Sequence, residues 1–316
     1  MFIVCGESLF DVFSSGETPG GLSLDGRMGG SPFNVAIALA RLRQPVSFLG
    51  SIGRDFAGNR LVRALEDEGV RTDCAPRVDA PTSLMLVGLD GRGVPSYVFY
   101  GQGGADRQLQ EEHLAPVPGG AAAYHFGSYS MVVDPTGSTQ RLLVEREHRR
   151  SVISYDPNVR LRVEPDIDRW RETLRWMTPR THVLKASEED LVLLFPGVSI
   201  DQCAADALSA GAGLVVVTRG SEGARGFARR ASAEVPSAPA VVVDTVGAGD
   251  TFQAALLTWL AETGRLSAAA IESLDAAGLR SALGFAARAA AITCGRRGAD
   301  TPRREELARR EELRTT

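Results

Sequence analysis

Short apolar runs alternate along the chain with segments of helical periodicity. Residues 2–5 and 152–156 are apolar over most of their length, as is typical of parallel strands buried on both faces. Residues 32–43 instead place apolar side chains on one helical face. This alternation predicts an α/β fold, a doubly wound and mostly parallel sheet flanked by helices. Further strands are predicted at 46–50, 124–127, 182–185 and 214–218, and further helices at 139–149, 167–177 and 281–293.

Two segments depart from this alternation. Residues 10–28 are rich in Gly and Ser, and residues 83–107 contain alternating β-branched and aromatic side chains. We interpret them as the strands of a small β-sheet lid that closes over a ligand; an ordinary edge hairpin is the alternative. Residues 1–302 are then one domain that includes the lid, and residues 303–316 are a charged C-terminal tail.

Composition and charge narrow the classes of protein. The 316 residues are 44% hydrophobic and 23% charged, which suits a globular chain with a large core. The net charge of −4 does not favour nucleic-acid binding. No apolar run is long enough to span a membrane, and no signal peptide is recognisable. The four cysteines form no CxxC pair, so we expect reduced thiols and a cytoplasmic protein.

The most informative string is Asp-Thr-Val-Gly-Ala-Gly-Asp-Thr at residues 244–251. It follows an apolar run at 241–243, which we interpret as a strand, and it precedes a helix with one apolar face. Backbone N–H groups of a glycine-rich turn at a helix N-terminus attract anions such as phosphate. Asp250, at this helix start, can accept a proton from a hydroxyl group. The alternative is that Asp250 only caps the helix.

A second string, Gly-Gly-Ser-Pro-Phe-Asn at residues 29–34, precedes another predicted helix. Ser31 suits the N-cap and Pro32 the first helical position. Asn34 can both donate and accept hydrogen bonds. A glycine turn with a capping Asn is the alternative reading of this string.

The two strings together, in this order, resemble the signatures of the ribokinase-like (PfkB) family of carbohydrate kinases. The resemblance runs from Phe2 to about Pro302. It implies an anion hole at residues 244–251 and a sugar site at residues 29–34, with Asp250 as the catalytic base. The residues that it assigns to the anion hole are Gly247, Ala248 and Gly249, and those that it assigns to the sugar are Asp11, Gly29, Gly30, Asn34 and Asp250.

The middle of the chain adds to the resemblance. Residues 154–160 look like the Asp-Pro-Asn-x-Arg string of the fructokinase branch, so Arg160 would contact substrate hydroxyls or a phosphate. Residues 185–190 occupy the place of an Asn-x-x-Glu element, with Ser187 and Asp190 as the replacements. Asp190 would contact Mg²⁺ through water, with Glu189 as a substitute. The resemblance assigns ATP contacts to Lys185, Ser187, Thr218, Gly220, Gly223, Gly247 and Gly249.

The expected cofactors are therefore ATP and Mg²⁺. The resemblance also allows K⁺, in a site made by Asp244 and the loop at 294–299. The expected partners are a small sugar and ATP, with no nucleic acid and no membrane, and the family resemblance implies a homodimer through the lid.

D-fructose, giving fructose 6-phosphate, is the expected substrate because the strings at residues 6–12, 99–107 and 124–128 look like those of bacterial fructokinases. A 2-keto-3-deoxygluconate kinase is a close alternative. Its acidic substrate needs a cation, which Gly101 does not supply; this favours a neutral sugar, although Arg92, Arg107 or Arg160 could compensate. Other sugar or nucleoside kinases and a non-catalytic sugar sensor are further alternatives. The sensor would be expected to lose the base, and Asp250 is present.

Overall fold

An eight-stranded central sheet and a separate four-stranded sheet organise the computed structural model, which describes residues 1–89 and 95–308. The strands are β1 (Phe2–Cys5), β2 (Leu9–Thr18), β3 (Gly21–Gly29), β4 (Val46–Leu49), β5 (Ile52–Gly53), β6 (Arg77–Val78), β7 (Leu84–Leu89), β8 (Pro95–Tyr100), β9 (Ala123–Gly127), β10 (Val152–Asp156), β11 (Val183–Ser187), β12 (Leu214–Thr218), β13 (Ala224–Ala228) and β14 (Ala231–Val235). The α-helices are α1 (Ser31–Arg41), α2 (Phe56–Asp67), α3 (Thr136–Glu147), α4 (Ile167–Met177), α5 (Glu188–Leu194), α6 (Ile200–Ser209), α7 (Ala248–Glu262), α8 (Ala268–Glu272) and α9 (Ala276–Cys294).

The central sheet has the order β14-β13-β12-β11-β10-β9-β1-β4. All pairs from β4 to β12 are parallel, and β13 and β14 add an antiparallel edge. Side chains alternate between two buried clusters: Phe2 and Val4 join one, and Ile3 and Cys5 join the other. The predicted doubly wound, mostly parallel fold is therefore confirmed.

Helices cover both faces of this sheet. Residues of α1, α2, α7 and α9 contribute to the cluster that contains Val4, and residues of α3 to α6 contribute to the cluster that contains Ile3. Because the strands from β4 to β12 are parallel, their carboxyl ends meet at one edge of the sheet, where open α/β sheets bind their ligands.

The predicted small second sheet is also present, with the order β3-β2-β7-β8. We call these four strands the lid. One row of directly paired residues crosses it, in which Asp11 pairs with Arg27 and Met85, and Met85 pairs with Phe99. Arg92, which was considered as a cation for an acidic substrate, lies outside the described residues.

The predicted strand at 241–243 is wrong. These three valines are outside every sheet, with exposed fractions of 86%, 65% and 55%. The Val243 N–H instead donates to the Cys294 carbonyl, so this segment runs beside the loop after α9. An apolar run without a strand neighbour does not make a strand.

The start of the predicted charged tail contacts the domain. Residues 304–308 are helical, and Leu307 is buried. Arg304 pairs with Glu262, and Arg303 pairs with Glu68. Residues 309–316 lie outside the described part of the chain. Of the helices in residues 1–89 and 95–308, none is long and apolar enough to cross a membrane.

Candidate active site

The two glycine-rich strings meet at Asp250. The Oδ1 atom of Asp250 accepts a hydrogen bond of 2.7 Å from the Ser31 hydroxyl, and Oδ2 accepts one of 2.8 Å from Asn34 Nδ2. Asp250 is only 8% exposed. Residues more than 200 positions apart thus orient one buried carboxylate, as expected if the strings form one site.

Ser31 does not have the predicted capping role. Helix α1 begins at Ser31, and its N-cap is Gly30, which has no side chain that could cap the helix. The Ser31 hydroxyl is therefore free to face α7 and bind Asp250. Asp250 itself lies within the first turn of α7 rather than at its N-cap, which is Gly247.

Close backbone approach explains two of the predicted glycines. Gly247 has φ of 75°, and a Cβ atom there would lie 2.5 Å from the Cβ of Ala299. Gly30 has φ of 104°, and a Cβ atom there would lie 2.7 Å from the Glu7 carbonyl oxygen. Only glycine fits both the conformation and the space. The Ala248 N–H donates to the Thr245 carbonyl at 3.2 Å, so within the described residues the N–H groups of Gly249 and Asp250 are those at the start of α7 that remain open for an anion.

The lid brings a second carboxylate to the site. A Cβ atom on Gly29 would collide with the Asp11 carboxylate, so Asp11 lies against the string at residues 29–34. Burial raises the pKa of Asp11 to about 6; the Arg160 guanidinium opposes this rise and the nearby Asp250 charge adds to it. The structure therefore brings Asp11, Arg160 and Asp250 within electrostatic reach of one another, while Arg160 remains exposed.

A buried ion pair lies beneath the anion-binding turn. Lys185 Nζ donates to Asp156 Oδ2 at 2.7 Å, and a Cβ atom on Gly249 would lie 3.2 Å from the same ammonium. Burial alone would lower the pKa of Lys185, but the carboxylates of Asp156, Asp190 and Asp250 raise it. Lys185 therefore stays charged next to the turn that should receive a phosphate.

The replaced Asn-x-x-Glu element forms the start of α5. The Asp190 N–H donates to Ser187 Oγ, and Asp190 Oδ2 accepts from the Ser187 hydroxyl and N–H. Asp190 Oδ1 accepts from the Val159 N–H. Asp190 thus fixes α5 and the loop before Arg160, whereas Glu189 is exposed. The roles of both carboxylates toward Mg²⁺ stay predictions.

Two further segments border the turn. Thr218 ends β12, and residues 220–222 form a short 3-10 turn before Gly223 and β13. On the other side, Asp244 Oδ2 accepts from the Gly298 N–H at 2.8 Å and Oδ1 accepts from the Val246 N–H. Asp244 therefore holds the loop at 294–299 against the turn.

The profile of the pfkB family of carbohydrate kinases matches residues 10–306. The chain belongs to this family. It is thus a sugar kinase, which transfers a phosphoryl group to an alcohol. Among curated relatives, a fructokinase from Rhizobium leguminosarum bv. trifolii is 36% identical over 280 residues, which are 89% of this chain and 86% of that protein. A probable chloroplastic fructokinase-6 from Arabidopsis thaliana is 35% identical over 94% of this chain and 78% of its own length.

Solved structures give the same family. A fructokinase from Xylella fastidiosa with bound ATP has a TM-score of 0.89 and 28% identity, covering 100% of this chain and 99% of that one. A fructokinase from Vibrio cholerae O395, in a form with fructose, ADP and calcium bound, has a TM-score of 0.83 and 26% identity, covering 98% and 97%.

Sequence reasoning missed three polar residues in or beside the candidate site. Ser31 was read as a cap, and Asp156 was not assigned a role beside Lys185. Glu7, directly after β1, is 1% exposed. Burial raises the pKa of Glu7 to about 7, although the Ser128 and Ser130 hydroxyls lower it. A charged residue just after a fully apolar strand was the available signal for Glu7.

Proposed function

We propose that this kinase transfers the γ-phosphoryl group of ATP to the 6-hydroxyl of D-fructose. The observation that carries the proposal is the buried Asp250, which is held by Ser31 and Asn34 at the N-terminus of α7. The curated relatives named as fructokinases, and the Vibrio fructokinase solved with fructose and ADP, support fructose as the acceptor.

Asp11, Asn34 and the backbone of Gly29 and Gly30 hold the sugar in this proposal. Carboxylate and amide groups accept hydrogen bonds from sugar hydroxyls, and the charge of Asp11 strengthens those bonds. Arg160 keeps Asp11 ionised by lowering its pKa. The reacting hydroxyl would then lie next to Asp250.

Asp250 removes the proton of that hydroxyl while the hydroxyl oxygen of the sugar bonds to the γ-phosphorus. The bond from the γ-phosphorus to the bridging oxygen breaks, and its electron pair leaves with ADP. The turn formed by Gly247, Ala248 and Gly249 would receive the phosphoryl oxygens, where charge accumulates, on those of its backbone N–H groups that have no partner among the described residues. Ser31 and Asn34 hold the carboxylate in place during this transfer. Lys185 adds positive charge from the sheet side.

Mg²⁺, when bound, would neutralise charge on the ATP phosphates. Among the described residues, no group of three or more His, Cys, Asp or Glu side chains is arranged to hold a metal. This suits an ion held mainly by phosphates and water, with Glu189 and Asp190 contacting it through water. Thr218, Gly220 and Gly223 border the nucleotide, and the loop fixed by Asp244 would offer its carbonyls to K⁺.

A 2-keto-3-deoxygluconate kinase is the second candidate, and Arg107 is the observation that favours it. The Arg107 guanidinium lies 5.3 Å from the centre of the Phe99 ring and 5.9 Å from that of Tyr129. Its Nε atom is buried and has no hydrogen-bond partner among the described residues. A half-buried guanidinium of this kind could bind a substrate carboxylate.

A homodimer through the lid and a cytoplasmic location are also proposed. The lid face opposite Asp11 exposes Leu24, Leu84, Val98 and Tyr100 by 36% to 60%. A cluster of exposed apolar side chains on a sheet with open edges suits pairing with a second copy. Light scattering after gel filtration should give a dimer, and Tyr100→Lys should give a monomer; a monomeric parent protein would refute the dimer.

The test of the function is ATP consumption with a panel of fructose, ribose, tagatose, 2-keto-3-deoxygluconate and adenosine. Each acceptor is assayed with Mg²⁺, with and without K⁺. Preference for fructose supports the proposal, and preference for 2-keto-3-deoxygluconate replaces it by the second candidate. In that case Arg107→Met should raise KM for the acidic sugar. Binding of sugar without turnover would favour a sensor.

A further inference from the structure

We propose that Arg27, carried by the lid, binds the phosphoryl group during its transfer and in the sugar phosphate product. The inference rests on the proposed function, since it assigns a residue to the same phosphoryl transfer. Three features of Arg27 support it: the lid face from which the side chain projects, its approach to the 294–299 loop, and its Nη1 donor.

The first observation is that Arg27 faces the site. Arg27 on β3 is directly opposite Asp11 on β2, and directly opposed residues project from the same face of a sheet. Asp11 is close enough to Asp250 and Arg160 for both charges to shift its pKa. The side chain of Arg27 therefore projects from the lid face that covers the sugar site.

The second observation is that Arg27 extends to the anion-binding turn. A Cβ atom built on Gly298 would lie 3.7 Å from Arg27 Nη1 and 3.8 Å from its Cδ. The next residue, Ala299, is the one that packs against Gly247. Arg27 thus lies beside the 294–299 loop, which packs against the anion-binding turn through Ala299.

The third observation is the state of its donors. Arg27 Nε and Nη2 both donate to Asp25 Oδ2, at 2.9 Å and 2.7 Å, and the guanidinium carbon lies 5.1 Å from the centre of the Phe13 ring. Within residues 1–89 and 95–308, Nη1 makes no hydrogen bond. Nη1 is also the atom nearest Gly298. Asp25 and Phe13 therefore orient the guanidinium so that Nη1 faces Gly298, in the loop that packs against the turn.

The chemistry of the site explains why a cation is useful there. The turn supplies backbone N–H groups, and Lys185 supplies a charge from β11, but Asp250 and Asp11 place two carboxylates on the sugar side. Negative charge spreads over the three equatorial oxygens during transfer. An arginine from the lid would neutralise part of it only when the lid is closed, so phosphoryl transfer to water in the open state would be disfavoured.

Arg27→Met tests this inference, because methionine keeps an apolar stem over Phe13 and removes the charge. We expect kcat to fall by about 10- to 100-fold, with KM for the sugar changed less than about two-fold, since an arginine aimed at the transferred phosphoryl acts mainly on the transition state. The dissociation constant of the sugar phosphate should rise at least about five-fold, while that of the sugar is unchanged. Arg27→Lys should recover part of both losses.

A matched control is Arg54→Met, because Arg54 is an exposed arginine that pairs with Asp79 away from the site. It should leave kcat and both dissociation constants within about two-fold of the parent. Arg27→Gln and thermal denaturation of each variant separate a loss of charge from a loss of folding: Gln is polar and uncharged, so it should reproduce the Met result at an unchanged Tm.

Two results would overturn the role of Arg27. One is a kcat within two-fold of the parent in both uncharged variants; the other is a raised sugar KM with an unchanged affinity for the sugar phosphate, which would make Arg27 a sugar contact. The parent protein is assayed first with the sugar panel, and its preferred sugar is used throughout. A parent that prefers another sugar would refute fructose as the substrate without touching Arg27.

Discussion

Gly247→Ala should disable the anion-binding turn far more than it destabilises the fold. Gly247 has φ of 75°, a conformation that costs an L-residue about 1–2 kcal/mol. The new Cβ would also lie 2.5 Å from Ala299 Cβ and 2.7 Å from its Cα, where carbon atoms normally keep about 3.5–4.0 Å apart. Relief of this overlap needs a shift of about 1 Å and adds about 1–3 kcal/mol. The free energy of unfolding should therefore fall by about 2–5 kcal/mol.

Gly264→Ala is the matched control, because Gly264 follows the same helix with φ of 68° and no atom within 4 Å of its Cβ position. It carries only the backbone cost of about 1–2 kcal/mol. Urea unfolding gives the free energy of unfolding of both variants, and steady-state assays with ATP and sugar give their kcat. A displacement of about 1 Å in the turn should lower kcat by about 100-fold in Gly247→Ala, with no loss in Gly264→Ala. Equal kcat values for the two variants would refute the anion-hole assignment.

Two predictions concern pH. Because Asp11 must be ionised to accept sugar hydroxyls and its pKa is about 6, kcat/KM for the sugar should fall below about pH 6, and Arg160→Met should move this fall to higher pH; a pH profile unchanged by the substitution would contradict the role of Arg160. Burial raises the pKa of Glu7 from 4.5 to about 7, so the folded state loses stability as the pH rises from about 4.5 through 7, by about 3 kcal/mol. Urea unfolding at pH 5 and pH 8 should show a smaller loss in Glu7→Gln than in the parent, and equal losses would exclude Glu7 as its source.

The central sheet could be predicted because its strands are buried on both faces. Phe2–Cys5 and Leu214–Thr218 are continuous apolar runs, and such runs leave little alternative when helices flank them. The lid was also visible, since it breaks the alternation. The edge hairpin of β13 and β14 is not evident in the sequence, because Arg225 and Gly226 interrupt the apolar residues of β13 and the residues of β14 are mostly small or polar.

Misassignments arose where an apolar pattern or a capping preference was read without its tertiary partner. Residues 241–243 look like a strand, but no strand of the described part of the chain pairs with them. Ser31 has a side chain suited to an N-cap, but its hydroxyl donates to the buried carboxylate of Asp250, 219 positions away. Helix α9 begins at Ala276, before the predicted start at 281, because the Asp275 carboxylate accepts from the Gly278 N–H.

The residues of the site also fall into two groups: those that a local string predicts, and those that contacts between distant elements bring together. Asp250 and Asn34 could be predicted from the strings at 244–251 and 29–34. The glycines of these strings allow a close backbone approach that other residues do not. The pairing of Lys185 with Asp156 and the position of Arg27 beside Gly298 depend on contacts between distant elements. No local pattern encodes such contacts, so they emerge only with the fold.

Asp250→Asn tests the central claim most directly, since Asn keeps the shape of the side chain and removes its capacity to take a proton. Single-turnover phosphorylation and sugar binding are measured on the same preparation, with the parent protein and the Arg54→Met variant beside it. The account predicts that sugar affinity stays within a few-fold while the rate of phosphoryl transfer falls by about 10²–10⁴-fold. A variant that transfers phosphoryl at the parent rate would remove Asp250 from the role of catalytic base.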